Sequence, residues 1–564
     1  MKFRTIFSLF LLLCIAVPAP AQTNFVTEFL RNYHPTGEEA APPPLKPPTA
    51  LTQFLQNGEI PITMNDLVNL MLDQNLDIAS NRLTPRSSIL QTLVFYKILQ
   101  PSVSFTGSVS RNTAFSTTQL NGASSLSQLQ HNFSASISKN LAAGTTVGVT
   151  ATMARSSSNS VLSTFNPSYS GRITYSISQH LLQNRGRDIN LRQIDQAENS
   201  EKMAEIQFEI QLTSLLAQAQ KSYWDLVFSE GDLAVKKESL DLANKTLDEN
   251  NQKVEIGTLA KIDVVQTKLD VAQRNDTVIG AEGTVTQAQD QLKKMISNTN
   301  DPSMFLVSLK TLEKPRQPVA TDIPTLAEAV SIAIENRPEI RQALLDLKNK
   351  DIDVQYTKNQ KMPLLDLNAS YTQNGTGGTQ TIRGNVLGSG GVQQTIPGGV
   401  FDAFGQLFGY NYTGYSVGFS LVIPLKNKAA EADFSRAVNE RRLSESKIDT
   451  VTQGIELEVR NALTAAKVAQ NRVDTAKATL DLASQTMEAE KNKFEFGTSI
   501  LRFVLQEQQN FALAQSAELQ AEVNYTKALV DLDHAMGMTL KRSNIELDKA
   551  LQMPSKLPSN PKAD

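Results

Sequence analysis

Hydrophobic residues recur every seven positions over two stretches of this chain. The first comb is Leu212, Ala219, Leu226, Leu233, Leu240, Leu247 and Val254. The second is Val459, Ala466, Val473, Leu480, Met487 and Phe494. A sustained heptad gives a helix a narrow apolar seam that needs a partner helix. Both combs end on the same punctuation, with Lys253 leading to Gly257-Thr258 and Lys493 leading to Gly497-Thr498. The same pattern met twice, in register, predicts a tandem duplication of a long coiled helical unit. Such a unit suits a conduit or scaffold better than a catalytic pocket.

No proline occurs from Asp188 to about Lys253, so a continuous helix there would be about 100 Å long. A second arm runs from Leu259 to about Ile296. The second half repeats both arms, from Ala429 to Lys493 and from Ser499 to Met536, giving helical hairpins over 188–297 and 429–537. A short amphipathic helix at Met64 to Asn81 is matched at Leu326 to Leu344: Thr63 aligns with Thr325, Asp66 with Glu328, Val68 with Val330 and Ile78 with Ile340. Threonine followed by an acid three residues later is a capping-box pattern in both.

Between short helix and hairpin the period changes from seven to two. Val103, Phe105, Gly107 and Val109 alternate with serine and threonine, as do Phe133, Ala135 and Ile137, then Val147, Val149, Ala151 and Met153, then Ile173, Tyr175 and Ile177. The second half alternates at Leu365, Leu367, Ala369 and Tyr371, and at Tyr415, Val417, Phe419, Leu421 and Ile423. These read as strands with one apolar and one polar face, in segments 101–182 and 363–424. Pro101 to Leu182 holds no Asp or Glu. Apolar-out and Ser/Thr-in suits a barrel wall between lipid and water, with a soluble β-sandwich as the alternative. Asn112 to Gln130, Ser156 to Pro167 and the Gly-, Gln- and Thr-rich Gly375 to Gly414 read as polar loops, the last one long and exposed.

The first residues change the compartment. Lys2 and Arg4 precede an apolar run, Ile6 to Val17, and Ala19-Pro20-Ala21 offers small residues for cleavage before Gln22. An export signal at 1–21 is expected, the alternatives being an uncleaved anchor helix or a lipobox ending at Cys14. Cys14 is the one cysteine, so cleavage after Ala21 leaves a mature chain without thiols. After the signal no stretch reaches the ~18 apolar residues of a membrane helix, so entry into a membrane requires strands. The other expected divisions are a Pro-rich leader (22–60), a first repeat (61–298), a linker with four prolines (299–324), a second repeat (325–540) and a polar tail (541–564).

The 564 residues carry a net charge of −3, which gives a polyanion nothing to bind; no nucleic-acid partner is expected. His34, His131, His180 and His534 lie in unrelated segments, so no metal site is expected, nor any cofactor. Ser136 and Lys139 match a Ser-x-x-Lys nucleophile pattern, but in a strand whose serines face one way they read as pore lining. Gly388 to Gly391 lacks the strand-then-helix context of a phosphate loop. Trp224, next to a seam position, reads as core. A glycosidase-type enzyme needs paired carboxylates on strands, and 101–182 has none, so an enzyme is not expected.

The order of signal, short helix, strands, long hairpin, and then all but the signal again resembles the TolC family of bacterial outer-membrane factors over roughly Asn65 to Met538. Three local matches carry this. Ser178-Gln179-His180-Leu181-Leu182 followed by Arg185-Gly186-Arg187-Asp188 is similar to the family's strand-to-helix junction, and Ile423-Pro424-Leu425 to its second-half counterpart. The Gly-Thr turns are similar to its hairpin tips. Two departures stand out: His180 occupies a position usually held by proline, and the first half holds four β-segments rather than two, the extra pair being Phe133 to Met153.

The resemblance implies an α+β membrane protein. Three chains would share one transmembrane β-barrel and one antiparallel coiled-coil tunnel through the periplasm. Elementary geometry agrees, because four to six strands are too few to close a barrel and the smallest need about eight. It further implies a passive exit duct of a tripartite efflux pump or type I secretion system, with outer-membrane lipid, a periplasmic adaptor and an inner-membrane pump as partners. Gly257, Thr258, Gly497 and Thr498 would meet the adaptor. Asp263, Arg502 and Gln506 are the candidate tip latch; solvated surface charges are the plain alternative. Gln179, Gly186 and Pro424 mark the strand-to-helix junctions. The alternative function is a periplasmic or surface structural coiled coil without channel activity.

Overall fold

A computed structural model describes residues 59–117, 121–296, 307–319, 321–384 and 391–551. The expected export signal, all but the last two residues of the leader, and the tail beyond residue 551 lie outside the described residues.

A short strand β1 (Glu59–Ile62) leads into α1 (Met64–Gln74), α2 (Leu76–Asn81) and α3 (Leu83–Phe95). Four long strands follow: β2 (Ser102–Phe115), β3 (Ser125–Leu141), β4 (Thr145–Ser158) and β5 (Phe165–His180). Then comes a helical hairpin, α4 (Arg192–Glu255) and α5 (Lys261–Ile296). The order returns as β6 (Ser308–Thr311), α6 (Leu326–Asn336), α7 (Pro338–Gln360), β7 (Leu364–Arg383), β8 (Val392–Ile396), α8 (Val400–Phe408), β9 (Tyr412–Val422), α9 (Lys428–Glu495) and α10 (Leu501–Ala535). Residues 545–551 belong to a separate unit and contain a short helix, Leu547–Leu551.

Local chemistry sets the helix ends. Thr63 accepts from the Asp66 amide at 3.2 Å while Asp66 accepts from the Thr63 amide at 3.2 Å, closing the expected capping box. Thr325 and Glu328 close the same box at 3.4 and 3.1 Å. α1 and α6 both stop after 11 residues, where Asn75 and Arg337 turn extended. Asn75 caps α2, and Pro338 opens α7 at a position where no amide donor is lost.

α4 and α9 run for 64 and 68 residues and pack antiparallel against α5 and α10; α10 also packs against α4. The combs are buried nearest the sheet: Leu212, Ala219 and Leu226 are at most 1% exposed, and Val459, Ala466 and Val473 are fully covered. Toward the tips Leu233, Leu240 and Leu247, and Leu480, Met487 and Phe494, are half-buried within one chain. The seam thus continues past the point where this chain alone fills it.

The long strands form one sheet in the order β2-β3-β4-β5-β7, with β9 along the start of β7 and β8 along its end, all antiparallel. β5 from the first half and β7 from the second pair from His180–Asp366 to Phe165–Gln380, which fuses the halves into one sheet. The ladder outlasts the apolar alternation. β2 and β3 continue to Phe115–Ser125 and β4 reaches Ser158, so much of the two segments read as polar loops is strand. The apolar signal ends when both faces become polar, but backbone pairing does not need it. Gly375 to Gly414 is likewise not a long exposed loop: β7 runs on to Arg383, and β8 and the helix α8 follow.

Leu226 is fully enclosed in the α4 seam, so Leu226→Ala leaves a cavity and should cost about 2–5 kcal/mol. A markedly lower thermal melting point of the helical circular dichroism signal is expected; an unchanged one contradicts the packing.

Candidate functional site

The hairpin tips are built by the Gly-Thr pair. Gly257 sits at φ +78° and Gly497 at φ +72°, left-handed conformations that favour glycine. This lets the Thr258 amide reach the Lys253 carbonyl at 2.8 Å and the Thr498 amide reach Lys493 at 2.9 Å, the six-to-one bond that closes a helix end. Each threonine hydroxyl donates to the same carbonyl at 3.0 Å. Both residue types are therefore required, which explains their recurrence. The Lys253 ammonium lies 5.3 Å from the Phe494 ring, joining the two tips. Ser499 donates to Glu490, whose carboxyl is held below its usual range by that bond and then by Lys493.

Asp263 lies in the first turn of α5, where its charge complements the helix dipole. Arg502 and Gln506 are exposed on α10, and Gln506 donates to Asn510 at 3.2 Å. Among the described residues of one chain, no ion pair joins Asp263 to Arg502. Exposed apolar side chains surround both turns, including Ile256 (73%) and Phe496 (84%).

The strand-to-helix junction is held by amides. Thr145 donates to Gln179, and Gln179 donates to the His180 carbonyl at 2.7 Å. The Gly186 amide donates to Ala143, and Asn190 closes the turn onto the carbonyls of Asn184 and Gly186 at 2.8 and 2.7 Å. Pro424 lies in the extended link between β9 and α9. His180 meets Asp366 at 2.6 Å; the Asn184 amide donates to the Asn359 side-chain oxygen at 2.7 Å, and the Asn184 side-chain oxygen accepts from Gln360 at 2.7 Å. These ties bind the first-half junction to the second half. They join residues far apart in sequence, and no local pattern announces them.

Register sorts the sheet into two faces. Val103, Ile137, Val149, Tyr175, Tyr371 and Tyr415 form one cross-strand row, and Ile177, Ala369 and Val417 continue the next. On the other face Ser102 pairs with Ser138 and Ser104 with Ser136, hydroxyl to hydroxyl, at 2.9 and 2.7 Å. The apolar face is open: Val417 is 70% and Phe419 77% exposed. β2 and β9 form the two edges beside the helical body, each with one side unpaired in the chain.

A buried cation clamps the second half. Arg337 donates to both oxygens of Glu458 at 3.2 and 2.8 Å, to Glu339 at 2.9 Å, and to the carbonyls of His534 and Ala535 at 3.2 and 3.4 Å. In the first half Asn75 donates to the Met295 carbonyl at 2.8 Å. Each ties the short helix to the returning arm of its hairpin. The alignment of Asn75 with Arg337 was the sequence signal available for this site. Among the described residues, no His, Cys, Asp and Glu cluster could hold a metal ion, and no helix is long and apolar enough to cross a membrane.

Long helical hairpins joined to an open, two-faced antiparallel sheet define the class of this fold. The chain belongs to the outer membrane efflux protein family, whose model matches residues 67–298 and 329–538. It is accordingly an outer-membrane protein. Nodulation protein T of Rhizobium leguminosarum bv. trifolii is 24% identical over 329 residues, 56% of this chain and 61% of that protein. Alkaline protease secretion protein AprF of Pseudomonas aeruginosa is 26% identical over 135 residues, 24% and 28% of the two chains. The chain thus spans less than two thirds of either relative. The Campylobacter jejuni CmeC outer membrane channel shares the fold at a TM-score of 0.60 and 17% identity, over 89% of this chain and 91% of that one. Vibrio cholerae VceC shares it at 0.57 and 13%, over 84% and 96%.

His534 and the Arg337 guanidinium hold the Glu458 carboxyl at about 2, against an ordinary 4.5. A depressed carboxylate contributes stability in full above its unfolded value and loses it as pH falls through the folded one. Thermal stability should therefore drop between pH 4.5 and about 2. Glu458→Gln should be less stable above that window and flatter across it. Equal slopes for the two proteins would contradict the clamp.

Proposed function

We propose that three copies of this chain form the outer-membrane exit duct of a tripartite efflux pump or type I secretion system. The duct conducts substrates passively from a periplasmic tip to the exterior and is not an enzyme. One observation carries this reading: outside the stretch covered by the Val400–Phe408 helix, the sheet exposes its apolar face, and it leaves an edge unpaired on each side. In hydrocarbon every backbone group must be bonded within protein, so an open sheet is not viable there. Pairing β9 of one copy with β2 of the next satisfies both edges. Six long strands per chain then give a closed barrel of eighteen, the Phe133 to Met153 hairpin enlarging it beyond twelve. The serine and threonine face lines the lumen, as in other water-filled barrels.

The long hairpins continue the duct as a helical tunnel through the periplasm. The half-buried lower seam, Leu233 to Leu247 and Leu480 to Phe494, is filled by hairpins of neighbouring copies. Equal helix lengths, matched capping boxes and paired Gly-Thr turns support two tandem repeats. The exposed Ile256 and Phe496 beside those turns suit an adaptor protein, and the energy comes from an inner-membrane pump, since the sequence has no nucleotide-binding motif. Asp263, with Arg502 and Gln506, acts as a latch between copies rather than within one.

Reconstituted in planar bilayers, the wild-type protein should conduct weakly, and Asp263→Ala or Arg502→Ala should raise conductance several-fold. Unchanged conductance in both variants would remove the latch. Absence of conductance from well-folded wild type and variants alike would refute the duct.

A further inference from the structure

The helix α8 lies on the apolar face of the sheet, across β5 and β7. Its Ala403 and Leu407 are buried there. The sheet makes room with glycine: a Cβ on Gly171 would meet Leu407 at 2.6 Å, and one on Gly375 would strike the Ala403 carbonyl. Such a helix usually turns a polar side outward. This one does not. Phe401 is 66% and Phe408 49% exposed, and Phe404 stacks on Phe408 at 6.4 Å. Its two polar side chains are occupied by backbone: Asp402 accepts from the Gly399 amide at 2.6 Å and Gln406 from the Thr376 amide at 2.9 Å.

Height along the sheet gives the partner. Gly375 lies about ten residues beyond Leu365, roughly 34 Å along the strand, or about 25 Å along the axis of a barrel with strands tilted near 40°. That is the height of a lipid-facing apolar band, so α8 sits at its outer rim. The adjoining row on the same face carries His131 and Arg155, paired in register with each other and with Val109 and Tyr169, and Arg111 lies one step further out. No acidic residue lies on these first-half strands.

We infer that α8 is an interfacial anchor that lies in the outer leaflet. Phe401, Phe404 and Phe408 enter the acyl boundary, and Arg111 and Arg155 meet anionic lipid phosphates. An amphipathic surface of this kind binds through buried apolar area plus attraction to anionic headgroups. The neighbouring copy is not the occupant, because β5 and β7 are interior strands of the sheet. The inference rests on the barrel reading and gives the insertion between β7 and β9 a role in fixing the duct's depth.

The test places tryptophan at three positions in the full-length protein: Phe401→Trp, Phe408→Trp and, as a belt control, Phe419→Trp. Each variant is reconstituted in phosphatidylcholine–phosphatidylglycerol vesicles with or without brominated acyl chains. Trp224, the sole native tryptophan, is buried among helices and supplies a constant background. Loss of emission at 401 and 408 as well as 419, with little response to aqueous acrylamide, is expected. Quenching at 419 together with acrylamide-sensitive, lipid-insensitive emission at 401 and 408 would overturn the anchor and leave the barrel standing. Emission at 401 and 408 that neither quencher reaches would mean a protein covers α8, and would also overturn it. Absence of lipid quenching at all three sites would overturn the barrel reading and the anchor together.

Discussion

The constraint on which the rest depends is the backbone hydrogen bond in a medium without water. Every amide and carbonyl of a membrane strand needs a protein partner. Within one chain that requirement is met for β3, β4, β5 and most of β7, and is left open along β2 and β9. The unpaired edges run in opposite directions, and they are separated by a sheet whose two faces already differ in chemistry. In the proposed duct, pairing among copies closes these edges and leaves a lumen lined by serine and threonine.

The helices are tied directly to the sheet. β5 hands the chain to α4 through a junction fixed by Gln179, Gly186 and Asn190, and the same junction is tied to the second half through His180–Asp366 and Asn184–Asn359. The position of the sheet is thereby coupled to the helical body. Beyond the clamps at Asn75 and Arg337 the seam loosens, from fully covered at Leu226 and Val473 to half-covered at Leu247 and Phe494. A hairpin well anchored near the membrane and incompletely packed toward its tip has the distribution of stability expected of a movable aperture.

Much of this was legible in the sequence because the signals are local. The heptads, the Gly-Thr turns and the two capping boxes each depend on residues a few positions apart, and the structure has them where the pattern puts them. Strands were legible as alternation, but their ends were not, since serine-rich ladders continue after the apolar face has stopped. The helix α8 is too short to show a sustained period and sits in a tract rich in glycine and glutamine. Arg337–Glu458 and His180–Asp366 span long separations. No local pattern in the sequence announces either.

The most direct measurement is the native mass of the protein extracted in mild detergent, corrected for bound detergent. A mass of three chains is expected, with the open edges of each sheet closed by its neighbours. A monomer that stays stable across mild detergents would contradict the shared barrel, because one chain has too few strands to close a pore.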